Sequence, residues 1–324
     1  MMSLYLSISA LVAGMIGLIW GADKFIAGSA SLARTVGFSS LVVGLTVVSV
    51  GTSAPEIIVS VNAALQGSGE LAVGNALGSN LANIGLVLGI TLLIAPIPIQ
   101  KSLLKQEGII LFVVTGLAGI CLYNGFLGRF ESLLLVLLVI PLLILVAKYK
   151  KSLAESSETQ ITQSSSTRDA LISFFVGLIC LLACAELTVW GAKSIALSMG
   201  ISELVIGLTI IAIGTSLPEL AASVISAVRG HHDIAVGNIV GSNLFNLLLV
   251  MGAAGAISPI ALDSQVFNRD YMAMAVLTLL MLIFMAAVLR NKVGRAELPK
   301  TVGLVLLVAY CLYYVLLWCS TTGN

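Results

Sequence analysis

Residues 44–89 read GLTVVSVGTSAPEIIVSVNAALQGSGELAVGNALGSNLANIGLVLG, and residues 207–252 read GLTIIAIGTSLPELAASVISAVRGHHDIAVGNIVGSNLFNLLLVMG. The two stretches align without a gap at a single offset of 163, which carries Glu56 onto Glu219 and Asn83 onto Asn246. About half of the positions are identical. The same offset reaches back to Asp23 and Glu186, and forward to Pro96 and Pro259, then to Glu107 and Asp270. Identity is concentrated at Gly, Pro and polar positions while apolar positions drift. A repeat kept for packing alone would more easily show the reverse.

Working outward, the chain of 324 residues is 59% apolar and only 10% charged, with a mean hydropathy of +1.10. Soluble domains carry about a quarter charged residues. Such a chain cannot cover itself with polar surface, so it reads as an integral membrane protein rather than a soluble enzyme. A net charge of +1 with no basic patch argues against a nucleic-acid partner. Continuous apolar runs, rather than alternating strands of about ten residues, point to helices and not a barrel. Ten spans are expected at roughly 4–22, 41–65, 71–95, 106–123, 128–147, 170–190, 204–228, 234–257, 270–289 and 301–319, each of about 18 to 25 residues. The first and sixth are candidates to continue past their charged residues as long helices. The amino-terminal run lacks a basic start and its pattern recurs, so no removable signal peptide is expected.

The repeat covers five spans in each half. Five is odd, so the second copy enters the membrane from the opposite side. The expected fold is therefore all-α and polytopic, with ten transmembrane helices as two inverted-topology five-helix repeats, 1–147 and 170–324. Secondary transporters are often built this way, with their site near the bilayer midplane. Residues 148–169, rich in Ser, Thr and charge, read as a flexible cytoplasmic linker. With the amino terminus outside, inner loops hold thirteen Lys and Arg against three outside (Arg129, Lys193 and Arg269), accounting for all 16. Both termini outside and the linker inside is the expected orientation.

Glu56 and Glu219 fall at matching depths inside the second and seventh spans. A central acidic residue costs about 2.5 to 3.5 kcal/mol even on the cheaper scales, and no Lys or Arg lies at comparable depth. Protons or bound cations are the candidates to neutralise them. Pro55 and Pro218 cannot donate a helix hydrogen bond and displace the carbonyls of Gly51 and Gly214. Thr52, Ser53, Thr215 and Ser216 precede each kink, so hydroxyls and carbonyl oxygens gather beside each carboxylate. In the third and eighth spans, Asn75, Ser79 and Asn83, and Asn238, Ser242 and Asn246, recur every four residues and line one helical stripe. Ser79, Asn83, Ser242 and Asn246 read as the wall opposite the carboxylates; Asn75, Asn80, Asn238 and Asn243 read more as interhelical packing. The donor set is all oxygen. Calcium takes 6 to 8 such ligands at about 2.3 to 2.6 Å, and sodium can use smaller subsets, whereas soft metals want sulfur or imidazole and Mg²⁺ a tight octahedron. Five cysteines without loop spacing argue against a disulfide framework or a zinc site. His231 and His232 read as part of a solvated turn.

At GTSAPE (51–56) with GNALGSNLAN (74–83), and GTSLPE (214–219) with GNIVGSNLFN (237–246), the chain resembles the calcium/cation antiporter superfamily, specifically its prokaryotic sodium/calcium exchanger branch. The resemblance implies cation sites between spans two, three, seven and eight, and Ca²⁺ export against Na⁺ influx across the plasma (inner) membrane. It makes Glu56 and Glu219 shared Ca²⁺ and Na⁺ ligands, helped by Thr52, Ser53, Thr215 and Ser216. It adds Ser79, Asn83 and Ser242 at Na⁺ positions, with backbone oxygens from Ser49 and Ala212. It implies no enzyme activity and no cofactor; the ions are substrates and the lipid bilayer the surroundings. Some sodium/calcium exchangers have an aspartate where this chain has Asn246, so only two central carboxylates remain here. Exchange coupled to H⁺, or of another divalent cation, is the alternative, and a cation channel the alternative of another class.

Overall fold

The computed structural model describes residues 2–154, 166–201, 210, 212–290 and 296–322. Described helices are α1 (Met2–Val36), α2 (Ser40–Thr52), α3 (Ala54–Leu65), α4 (Gly69–Ile94), α5 (Lys101–Leu122), α6 (Arg129–Ala154), α7 (Thr167–Ser198), α8 (Ala212–Thr215), α9 (Leu217–Val228), α10 (His232–Ile257), α11 (Val266–Arg290) and α12 (Lys300–Thr322). Among the described residues, seven helices are long and apolar enough to cross a membrane, and α2 with α3, bent by 47° at their break, are so only as a pair. The protein is thus a helical, polytopic membrane protein. The expected fifth span is helical as α6, and 204–209 and 211 of the expected seventh lie outside the described residues. So do 155–165 of the expected linker, whose ends continue α6 and begin α7.

The first and sixth spans do continue past their charged residues, as α1 and α7 run for 35 and 32 residues through Asp23, Lys24, Glu186 and Lys193. A charge stops a span only where nothing meets it. Here Arg229 bonds Asp23 at 2.6 Å, and the Lys24 ammonium lies 5.9 Å from the Trp20 ring centre.

The chain divides into two compact units, Met1–Pro55 with Leu143–Asn238, and Glu56–Leu142 with Ile239–Asn324. Each draws helices from both copies of the repeat. In the first unit α1 and α7 pack antiparallel. A Cβ on Gly28 would lie 2.5 Å from the Phe174 nitrogen, and one on Gly191 would lie 2.8 Å from the Leu11 nitrogen. Gly191 is Gly28 moved by the offset, and Phe174 is Leu11 moved by it, so the contact recurs with its partners exchanged. Around this seam a core forms from Leu18, Phe25, Ile26, Val43, Val48, Phe174, Leu181 and Ile234.

The second unit holds two short antiparallel strand pairs. Ile97–Pro98 (β1) pairs antiparallel with Glu297–Leu298 (β4), and Phe126–Leu127 (β2) with Ile260–Ala261 (β3). Widened π-helical turns occupy Asn83–Leu88 and Asn246–Val250, both opening on the asparagines that the offset relates. Burial separates the helices by role. In their most apolar windows α10 is 94% buried and α4 72%, against 22% for α1 and 28% for α7. The polar stripes therefore lie on the helices that protein covers.

Candidate cation-binding site

Two polar clusters form, one in each unit. The first is built on the break between α2 and α3. Ser53 leaves the helix at φ −84° and ψ 7°, and Ser216 does the same before α9 at φ −90° and ψ 4°. This sparsely used bridge conformation suits a short turn that lets a helix restart with Pro in its first turn. It frees the Ser53 hydroxyl, which donates to Glu219 Oε1 at 3.0 Å. Glu219 is 1% exposed, and its Oε2 has no hydrogen-bond partner among the described residues; nor has the buried Ser216 hydroxyl.

Asn238 braces this cluster. Its amide nitrogen donates to the Ser223 hydroxyl at 3.0 Å and the Glu219 carbonyl at 3.4 Å, while its oxygen accepts from the Thr52 hydroxyl at 3.1 Å. These bonds fix which way the amide points. The Ser49 hydroxyl turns back to Leu45 O at 2.7 Å. Its carbonyl, a ligand by the resemblance, receives the Ser53 N–H at 2.9 Å and faces the Thr52 hydroxyl at 3.3 Å. Thr215 is half-buried in the short helix that Ala212 opens.

In the second unit, Asn75 donates to the Glu56 carbonyl at 3.2 Å and to the Ser60 hydroxyl at 3.0 Å. This is the Asn238 brace again, with all three residues moved by the offset. Glu56, Ser79, Asn83, Ser242 and Asn246 are all buried. Both amide atoms of Asn83 and of Asn246 lack a partner among the described residues. Each of these asparagines opens a π-helical turn, a local widening frequent at functional sites. On the same helices Asn80 donates to the carbonyl of Asn243, its own repeat mate, at 3.2 Å.

Sequence reasoning put Asn75 and Asn238 on the polar stripe but outside the expected ligands, and both hold the backbone of a buried glutamate. Ser60 and Ser223 were missed. Their signal was available, since a serine follows each glutamate by four residues at the shared offset. What the clusters offer chemically is hard: carboxylate, hydroxyl and amide oxygens, several without partners. Buried polar atoms are ordinarily bonded, so the orphans within each cluster need an explanation. A dehydrated cation supplies one.

The sequence profile of the family described as sodium/calcium exchanger protein matches residues 6–148 and 170–319. The chain belongs to this family. The chain is 41% identical over 314 residues to the putative antiporter CaxA of Alkalimonas amylolytica, covering 95% of this chain and 97% of that protein. It is 38% identical to the inner membrane protein YrbG of Escherichia coli, covering 85% and 87% of the two chains. It is 30% identical to the sodium/calcium exchanger MaX1 of Methanosarcina acetivorans, covering 95% and 97%. The solved structure of the sodium-calcium exchanger NCX_Mj soaked with zero Na⁺ and Ca²⁺ matches with a TM-score of 0.82 and 31% identity, covering 95% of this chain and 97% of that one.

Proposed function

We propose that this protein exchanges Ca²⁺ for Na⁺ across the plasma (inner) membrane by alternating access, with its ten spans arranged as two inverted five-span repeats. The observation that carries the reading is Glu219. It is a buried carboxylate in a membrane helix, with one oxygen on the Ser53 hydroxyl and the other without a hydrogen-bond partner among the described residues. Glu56, its repeat mate, is equally buried. A group of this kind is costly in a bilayer unless a positive charge compensates it. An ion that arrives and leaves supplies that charge and performs transport at once.

In this reading Glu56 and Glu219 are the ligands shared by Ca²⁺ and Na⁺. Thr52, Ser53, Thr215 and Ser216 contribute hydroxyls. Ser79, Asn83, Ser242 and Asn246 complete the oxygen set on the third and eighth spans, and Ser49 and Ala212 lend backbone oxygens. Two carboxylates neutralise one Ca²⁺, and hard oxygen donors suit it. Competition of Na⁺ for the same carboxylates couples the two fluxes, because neither ion is held while the other occupies them. Orientation follows the basic residues, with both termini outside and 148–169 cytoplasmic. The family relationship supports cation antiport, and the relatives named as exchangers support this choice of ions.

The test is Ca²⁺ uptake into inside-out vesicles under an imposed Na⁺ or pH gradient. Uptake should follow the Na⁺ gradient, and Glu56→Gln or Glu219→Gln should abolish it while leaving expression and helicity intact. Uptake that follows only the pH gradient replaces Na⁺ with H⁺ as counter-ion. Wild-type exchange by either variant removes these carboxylates from the site.

A further inference from the structure

Away from the oxygen clusters, two thiols meet on the seam between α1 and α7. Cys180 and Cys184 stand one turn apart on α7 with their Sγ atoms separated by 3.7 Å. Both are half-buried, and the Cys180 thiol lies 3.5 Å from the carbonyl oxygen of Gly17 on α1. Gly17 faces the pair directly, since a Cβ there would fall on Cys184 Sγ. The missing side chain on α1 is what makes room for the sulfur on α7.

We propose that Cys180, Cys184 and the Gly17 carbonyl form a binding site for a soft divalent cation of the zinc and cadmium type, separate from the hard-oxygen clusters. The spacing supports it: metal–sulfur bonds of about 2.3 Å meeting at a tetrahedral angle hold two sulfurs about 3.8 Å apart. Charge supports it as well. The two thiols lose two protons as the ion enters, and two thiolates with one divalent cation are neutral, as a membrane helix requires. Thiolate selects soft ions, so Ca²⁺ and Na⁺ are poor competitors. A disulfide fits less well. Cβ atoms one turn apart on a helix are about 5–6 Å from each other, whereas a disulfide draws them to about 3.5–4.5 Å. The loop spacing of ordinary zinc sites is missing here because both sulfurs come from one helix face and the oxygen from another helix.

The experiment titrates the purified full-length protein, in a Cys121→Ser/Cys311→Ser/Cys319→Ser background, with Cd²⁺ while the ultraviolet sulfur-to-cadmium charge-transfer band is recorded. The band should saturate at one Cd²⁺ per chain and persist in excess Ca²⁺. Adding Cys180→Ser or Cys184→Ser should remove it or weaken binding at least tenfold. Cadmium held by carboxylates gives no such band, so the result stands apart from the exchange assay. Absence of the band, in protein whose two thiols still react with a thiol reagent and whose helicity is unchanged, overturns the proposal. So does a band of undiminished affinity in either serine variant.

Discussion

Ser53 sits where the backbone leaves one helix and starts another, and its hydroxyl is the bond that Glu219 Oε1 receives at 3.0 Å. Hydrogen bonds to charged groups contribute about 1.5–3 kcal/mol, and each 1.4 kcal/mol is about tenfold in affinity. Ser53→Ala should therefore raise the Ca²⁺ concentration for half-maximal flux roughly ten- to a hundredfold, with apparent melting little changed. Half-maximal flux at the wild-type concentration would remove this hydroxyl from the binding set. The carboxylates and flanking hydroxyls were legible in the sequence because charge at mid-span is costly and because they occur twice. The braces were not. Asn75 and Asn238 sit among small residues, where Asn reads as interhelical glue, and no spacing rule tells which way an amide points. Only the bonds from Asn238 to Ser223, Glu219 and Thr52 reveal it as the support of the buried acid.

Between elements, the α1–α7 seam depends on backbone approach at glycine. A Cβ on Gly28 meets the Phe174 nitrogen at 2.5 Å, its Cα at 2.8 Å and the Ala170 oxygen at 2.9 Å, all backbone atoms that cannot rotate away. Overpacking of this kind costs about 1–3 kcal/mol. Gly28→Ala should lower the apparent melting temperature, whereas Gly116→Ala on α5, with nothing within 4 Å, should leave it unchanged or raise it slightly. Equal melting of the two variants would show that the seam has slack. The turn between α9 and α10 gives a second test. Gly230 (φ 77°) and the His231 N–H to Ser226 O bond of 2.8 Å close α9, as Gly67 (φ 75°) and Ser68 close α3. The expected solvated turn is corrected here, because both imidazoles are half-buried. Burial first, then Arg34 on α1, Arg229 and His232, hold His231 below its ordinary value of 6.5. As pH falls, the unfolded chain takes up this proton before the folded one does. Stability is thus unaffected above the ordinary value, falls between it and the lowered folded value, and has lost the full contribution below that. His231→Asn should melt with a smaller drop than wild type on acidification from about pH 7.5 to about pH 5. An identical drop would assign the acid sensitivity elsewhere. Sequence patterning allowed α1 and α7 to run past their charges but did not reveal what meets those charges: on α1, Arg229 bonds Asp23 and the Trp20 ring lies beside Lys24.

For the whole molecule, the span count and the orientation are a single question of parity. The repeat was legible because its offset is uniform, and the local contacts that recur under it at Gly28 and Gly191, or at Asn75 and Asn238, follow that offset. How many helices cross the bilayer is less legible, since composition cannot separate a span from a long buried or interfacial helix. With ten spans, five precede residues 148–169, so this segment and the amino terminus lie on opposite sides. If only the seven helices and the bent pair cross, four spans precede it, and the two lie on the same side. On the proposed ten-span map, the thirteen-to-three distribution of basic residues favours a cytoplasmic segment with both termini outside. Single cysteines introduced as Ser164→Cys and Ser3→Cys into a chain with its own cysteines replaced by serine should decide the matter. A membrane-impermeant maleimide should label Ser164→Cys only in inside-out vesicles and Ser3→Cys only in right-side-out vesicles. Labelling of both from the same side would mean an even number of spans before the segment. An odd number is what turns the second copy over. With an even number, the two copies of GTS-PE would enter the membrane from the same side, and the two carboxylates would no longer be presented in inverted fashion to the two faces.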